Sequence, residues 1–218
     1  MSGRARPRMV MVVDDHPTFR LGLRALLDSS ADLAICGEAD DIRSAREGLG
    51  THRPELVLVD LALGDESGLE LVREICEAEP TLPVLVLSMR DEQLYAERAL
   101  EAGACGYLMK TTPGDQILTA IRDGLADRVV LSPSVTQQLI RRKVRGGRAD
   151  QSPLSQLSNR QLQVFELLGL GHQTRDIAAK LYVSPKTVET HIAAIKRRLG
   201  LSRLEELRKQ AIVWVNTA

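Results

Sequence analysis

Three aspartates, one serine and one lysine stand in the first 110 residues at places where a charged pocket would need them. Asp14 and Asp15 follow the apolar run MVMVV (9–13), and Asp60 follows LVLV (56–59). Ser88 ends PVLVLS (83–88), and Lys110 follows CGYLM (105–109). Clustered carboxylates repel and raise one another's pKa unless a cation neutralises them, and an all-oxygen site that keeps some waters suits Mg²⁺. In such a site Asp60 has the chemistry of a nucleophile toward a phosphoryl group. The metal and Lys110 would offset charge on the oxygens, and Ser88 would donate a hydrogen bond. The product is an acyl phosphate. Taken singly, an Asp after a strand is as readily a turn residue, Ser88 a cap and Lys110 a solvated charge. Five such residues, each closing its apolar segment, call for one common explanation.

The elements that must position them alternate. A further apolar run, LAIC (33–36), completes five strands, and helix-period segments lie near 17–28, 41–50, 67–78, 92–102 and 113–125, with Pro17 suited to a first helical turn. Strand and helix in strict alternation imply a parallel sheet covered on both faces through right-handed crossovers. The expected object is an α/β doubly wound (βα)5 sandwich. In that order the first and third strands are neighbours, and ligands bind at the carboxyl ends where connections diverge.

The chain has 218 residues, which leaves room for two compact units. With 44% hydrophobic and 27% charged residues it has the composition of a globular protein, and its apolar runs are far shorter than the roughly 20 residues of a membrane helix. The start MSGRARPRMVMVV meets Asp14 and Asp15 too early for a secretion signal, so a cytoplasmic protein without a membrane partner is expected. Cys36, Cys76 and Cys105 are odd in number and widely spaced, which suggests buried free thiols and no disulfide framework.

A formal net charge of zero hides an asymmetry. Residues 1–131 carry 14 Lys/Arg against 23 Asp/Glu, and residues 132–218 carry 15 against 6. The basic part is a plausible polyanion binder. Residues 132–153 read as a linker with a short helix around 135–144, followed by Gly146, Gly147 and a polar stretch. From Leu154 the pattern fits four helices of roughly ten to sixteen residues, with capping boxes at Ser158/Gln161 and Ser202/Glu205. Within TRDIAAKLYVSPKTVETHIAAIKRRLGL a tight Tyr182-Val183-Ser184 turn joins two helices, the second opened by Ser184 and Pro185. On that second helix Val188, Ile192, Ile195 and Leu199 form an apolar stripe to pack on Ile177, Ala178 and Leu181. The opposite face offers Lys186, Glu189, Thr190, Ala193, Lys196 and Arg197 to a DNA groove. The alternative is an amphipathic helix with a solvated outer face.

The strings VVDDHP, LVLVDLALGDESGLELV, LSM and ERALEAGACGYLMK resemble the receiver domain of bacterial two-component response regulators. The string LSNRQLQVFELLGLGHQTRDIAAKLYVSPKTVETHIAAIKRRLGL resembles the LuxR-type DNA-binding domain of the NarL/FixJ group. The resemblance implies a flavodoxin-like receiver (8–131), a linker (132–153) and a smaller all-α helix-turn-helix domain (154–218). It implies that Asp60 accepts phosphate from a sensor histidine kinase, that Asp14, Asp15 and Asp60 with the backbone carbonyl of Ala62 hold Mg²⁺, and that Tyr107 turns inward when Ser88 is drawn to the phosphoryl group. It further implies that Glu189, Thr190 and Ala193 face bases of double-stranded DNA, that Thr187, Lys196 and Arg197 chiefly touch phosphates, and that His191 supports the fold or the backbone contact. The last helix, with Leu204, Leu207, Ala211, Ile212 and Val215 on one side, is similar to the family's dimer helix; plain core packing explains it equally well. A homodimer is expected on phosphorylation.

Three features depart from the family's pattern. Leu63 and Gly64 replace a usual Met-Pro, Thr111 replaces a frequent Pro after Lys110, and Glu189 stands where many relatives have Lys. A carboxylate there cannot bind phosphate but can accept from cytosine N4. Two rival readings differ in class. One is a DNA binder whose receiver is only a docking module. The other is an Asp-nucleophile phosphatase of the haloacid dehalogenase type, which resembles this pattern but carries a second Asp two positions on, where this chain has Ala62. Without that acid and base the phosphoryl group persists as a signal, so no enzyme is expected.

Overall fold

The structure, a computed structural model, describes residues 6–64, 66–144 and 153–217. Chain contacts divide it into two compact units, Met1–Leu139 and Ile140–Ala218.

In the first unit β1 (Arg8–Val13), β2 (Leu33–Ala39) and β3 (Leu56–Val59) alternate with α1 (Pro17–Asp28) and α2 (Ile42–His52). A two-residue hairpin, β4 (Ala62–Leu63) with β5 (Glu66–Ser67), follows β3 and leads into α3 (Gly68–Ala78). Then come β6 (Val84–Ser88), α4 (Glu92–Glu101), β7 (Gly106–Met109) and α5 (Gly114–Leu125). The five long strands form one sheet in the order β2-β1-β3-β6-β7, every pair parallel. This is the expected doubly wound α/β sandwich.

Its central strands are apolar except at their ends, Arg8 and Ser88, because both faces are covered. Val10, Val12, Leu56, Leu58, Leu85 and Leu87 pack with Leu23, Leu27, Ile117 and Ile121 of α1 and α5. Burying such a side chain is worth about 1.5–3 kcal/mol, so the sheet's register is strongly specified. That register carries Asp14, Asp60, Ser88 and Lys110 to one edge, since each comes at or just after the end of a strand in the same parallel sheet.

Helix α6 (Pro133–Val144) crosses the division between the units. Its start is not a free tether. Ser132 and Ser134 hydroxyls both donate to Glu92 Oε1, at 2.9 and 2.7 Å, and Val135 is buried. The Gly146-Gly147 stretch read as the rest of the linker lies outside the described residues.

The second unit has a 3-10 turn at Pro153–Gln156 and four helices: α7 (Asn159–Gly169), α8 (Thr174–Lys180), α9 (Pro185–Leu199) and α10 (Leu204–Thr217). Ser158 and Gln161 form their reciprocal capping box. Three expectations need correction. Helix α8 has only 7 residues, shorter than the ten expected, because Ala178 and Ala179 carbonyls are already turned to close it. The box at Ser202/Glu205 is displaced: α10 begins at Leu204, so Glu206 rather than Glu205 reaches back to the Ser202 and Arg203 amides. Ile212 is exposed, and Leu207 and Ala211 alone of the supposed stripe are fully buried, because Ile212 lies about 100° around the helix from Ala211. The three cysteines are free but only partly buried; burial pushes the Cys105 thiol up to about 11.

Candidate functional site

The charged pocket is assembled from the ends of four neighbouring strands. Asp14 and Asp60 are buried, and the Lys110 side chain is 4% exposed. Lys110 Nζ lies between the two carboxylates, 2.7 Å from Asp14 Oδ2 and 2.6 Å from Asp60 Oδ2, and 4.7 Å from the centre of the Phe19 ring. Such a desolvated triad holds only because the ammonium offsets two charges that would otherwise repel. Asp60 Oδ1 accepts from the Ser88 hydroxyl at 2.6 Å and from the Ala62 amide at 3.1 Å. Both oxygens of the candidate nucleophile are thus held.

Asp15 differs from these. Its Oδ2 accepts from the Gly64 amide at 2.9 Å, while its Oδ1 is buried without a hydrogen bond, with the His16 ring Nδ1 2.7 Å away. Ligand atoms of Asp14, Asp15, His16 and Asp60 all lie within 4.8 Å of one another. An unsatisfied buried carboxylate oxygen beside two more carboxylates fits a hard divalent cation, and Lys110 alone leaves the three acids with excess negative charge.

The loop after Asp60 is shaped by two glycines. Gly64 adopts φ +55°, a left-handed turn that lets its amide point at Asp15. A Cβ at Gly68 would lie 2.2 Å from the Asp60 carbonyl oxygen, so only glycine allows α3 to start this close to the strand end. The Leu63-Gly64 departure therefore gives a tight hairpin. The peptide after Lys110 is trans, as are all described peptides.

Tyr107 on edge strand β7 is fully buried, and its hydroxyl donates to the Arg90 carbonyl at 2.7 Å. Burial pushes that hydroxyl far above the usual tyrosine range. The ring thus already lies inward, where the resemblance implied that it turns in when Ser88 is drawn to the phosphoryl group.

In the second unit Val188, Ile192 and Ile195 are buried, with Ile177, Ala178 and Leu181 buried beneath them, and Leu199 is partly covered. Ser184 caps α9 by accepting from the Thr187 amide at 3.1 Å, and Pro185 occupies the first turn. Lys186, Glu189, Thr190, Ala193 and Arg197 are exposed; Thr187 and Lys196 are half-buried. Thr187 Oγ1 lies 2.8 Å from Ser184 Oγ, and Lys196 Nζ donates to the Ser202 carbonyl at 3.2 Å, so these two side chains are tied to their own domain. Burial and the Arg160 charge push His191 below its ordinary pKa.

Residues 10–122 match the family described as the response regulator receiver domain, and residues 155–211 match bacterial regulatory proteins of the luxR family. The oxygen regulatory protein NreC of Staphylococcus epidermidis is 32% identical over 209 residues, covering 93% of this chain and 96% of its own. This chain is a response regulator with a LuxR-type DNA-binding domain. Among solved structures, response regulator ChrA of a heme-sensing two-component system shares 32% identity with TM-score 0.53, covering 97% of each chain. A LuxR-family response regulator from Aurantimonas sp. SI85-9A1 shares 32% identity with TM-score 0.59, covering 64% of this chain and 99% of that one. RcsB from Salmonella enterica serovar Typhimurium, solved on promoter P1flhDC, shares the fold at 22% identity with TM-score 0.69, covering 94% of this chain and 98% of its own.

The response regulator's pocket also contains groups that sequence reasoning passed over. His16 occupies the N-cap position of α1 without a side-chain cap, donates its amide to Asp14 Oδ1 at 2.8 Å and brings its ring to Asp15; Arg20, one turn along, bonds the Asp14 carbonyl. The signal was present in a histidine directly after paired aspartates and before a helix-opening proline. Among the described residues no helix is long and apolar enough to cross a membrane.

Proposed function

We propose that this response regulator is a transcription factor switched by transfer of a phosphoryl group from a sensor histidine kinase to Asp60. The observation that carries the reading is the buried Asp60 carboxylate gripped by Lys110 on one oxygen and Ser88 on the other. During transfer an Asp60 oxygen forms a P–O bond as the donor's P–N bond breaks, and the electron pair leaves on the donor imidazole. The Lys110 ammonium and Ser88 hydroxyl then shift from the carboxylate to phosphoryl oxygens, where charge has grown. Asp14, Asp15, Asp60 and the Ala62 carbonyl would hold Mg²⁺, which when bound supplies further charge neutralisation.

Ala62 gives no carboxylate two residues after Asp60 to drive hydrolysis, so the phosphoryl group serves as a stored signal and the protein is not an enzyme of the phosphatase type. Withdrawal of Ser88 toward the phosphoryl group changes the packing around the already inward Tyr107 ring, and with it the surface over β6, α4 and β7. The receiver (8–131) and linker (132–153) then act on the helical domain (154–218), which binds double-stranded DNA as a homodimer in the cytoplasm. In that domain Glu189, Thr190 and Ala193 face bases, while Lys186, Thr187, Lys196 and Arg197 meet phosphates.

Incubation with acetyl phosphate and Mg²⁺, followed by intact-protein mass spectrometry, tests the site. The wild type gains one acid-stable, hydroxylamine-labile phosphoryl group; Asp60→Asn and chelator-treated wild type gain none. Equal labelling of Asp60→Asn would overturn the assignment.

A further inference from the structure

Tyr182 stands on the turn between α8 and α9. Of the six aromatic side chains in the chain, Tyr95, Tyr107 and Phe165 are buried and Phe19 and Trp214 partly covered, while Tyr182 is 78% exposed. Its backbone is also unusual. The Tyr182 amide donates to the Ala179 carbonyl at 3.2 Å and the Val183 amide to Ala178 at 3.0 Å, the pair of bonds that ends a helix through one left-handed residue. Tyr182 is that residue, at φ +49°. Glycine or asparagine adopts this conformation readily, and a bulky side chain holds it at a cost.

Strain alone points to no ligand, since Arg53 and Asp127 also have positive φ, at 46° and 57°, after helices of the first unit. Placement distinguishes Tyr182. It lies two residues before the Ser184 cap and four before Lys186, on the turn that feeds the exposed face of α9. Arg160 bonds the Leu181 carbonyl, so the turn that presents the ring is itself tied down. In a helix-turn-helix the N-terminal part of the second helix enters the major groove, and flanking groups, tyrosine hydroxyls among them, contact the phosphate backbone.

We propose that Tyr182 is a DNA-backbone contact, its phenolic hydroxyl donating to a phosphate oxygen beside the groove that α9 enters. The proposal rests on the reading of α9 as the recognition helix. A neutral phenol displaces no condensed counterion, which separates its contribution from that of a cation: affinity depends on it, but the salt dependence does not.

The test uses the full chain and a fluorescently labelled duplex of mixed sequence, titrated across a salt series beside thermal melts. Tyr182→Phe should bind about five- to ten-fold more weakly, the equivalent of one hydrogen bond, with the slope of log K against log salt unchanged. Tyr182→Gly should bind at least as weakly while its Tm stays equal to or above wild type, because glycine relieves the left-handed strain. Loss of binding without loss of stability is what a purely structural tyrosine would not give. Arg197→Ala serves as control, with weaker binding and a shallower salt slope. If Arg197→Ala behaves so and both Tyr182 variants bind like wild type, the tyrosine contact is overturned and the recognition helix stands. If all three bind like wild type, the reading of the α9 face fails with it.

Discussion

The receiver pocket and the outer face of α9 are built on opposite electrostatic plans. In the pocket the side chains of Asp14, Asp60 and Lys110 are 3%, 1% and 4% exposed, so the three charges meet where water cannot screen them. On α9 Lys186, Glu189 and Arg197 stand in solvent. On the proposed function, the first arrangement stores interaction energy inside the protein that a phosphoryl group would release by changing the local charge. The second would keep its charges hydrated until a polyanion exchanged them for condensed counterions. A substitution in the pocket therefore acts on folding, and one on the helix face acts on binding.

The sharpest way to break this contrast is to remove the pocket's cation. Lys110→Met leaves two carboxylates facing each other in a buried site, and unfolding by urea should show a loss of about 3–5 kcal/mol. Millimolar Mg²⁺ should return part of that loss, because the ion takes over the neutralisation. A loss below about 0.5 kcal/mol without Mg²⁺, the size of an ordinary surface change, would mean the triad is not the buried unit described.

On the helix face the expectation reverses. Arg197→Ala should change unfolding free energy by no more than about 0.5 kcal/mol, yet lower the salt slope of DNA binding by about one unit. Lys196→Ala should have the smaller effect on the slope, since Lys196 is already bonded to the Ser202 carbonyl. Equal slopes for both variants would show that this tether does not survive on DNA.

What was legible in the sequence follows from the same contrast. A parallel sheet buried on both faces forces strand ends into line, so Asp14, Asp15, Asp60, Ser88 and Lys110 could be brought together from apolar runs alone. The side of α9 that faces its own core was equally legible, because Val188, Ile192 and Ile195 repeat at helical spacing. Details set by one residue's phase were not. Glu206 displaces Glu205 as the capping partner because α10 starts one residue later than the pattern Ser202/Glu205 implies. Ile212 turns to solvent for a similar reason of helical phase. His16 went unassigned because its ring reaches Asp15 only through the cap geometry of α1, which apolar periodicity does not encode.

A smaller effect should appear in acid. His191 has its pKa lowered in the folded domain by burial and by Arg160, so the unfolded chain takes up its proton first as pH falls. Its contribution is intact above the ordinary value near 6.5 and declines as pH drops below it, levelling off once the folded form is protonated as well. Thermal melts should therefore fall between pH 7 and about pH 5, and less steeply in His191→Gln. Parallel curves for the two proteins would remove His191 from the acid response.

The claim that joins the two regions is that chemistry at Asp60 is felt by the DNA-binding face. The direct measurement is the affinity of the full chain for a selected DNA site, with and without acetyl phosphate and Mg²⁺, in wild type and in Asp60→Asn. Tighter binding after phosphodonor treatment in the wild type, and no change in Asp60→Asn, is the result expected. Identical affinities in all four conditions would contradict it and leave the receiver as a docking module.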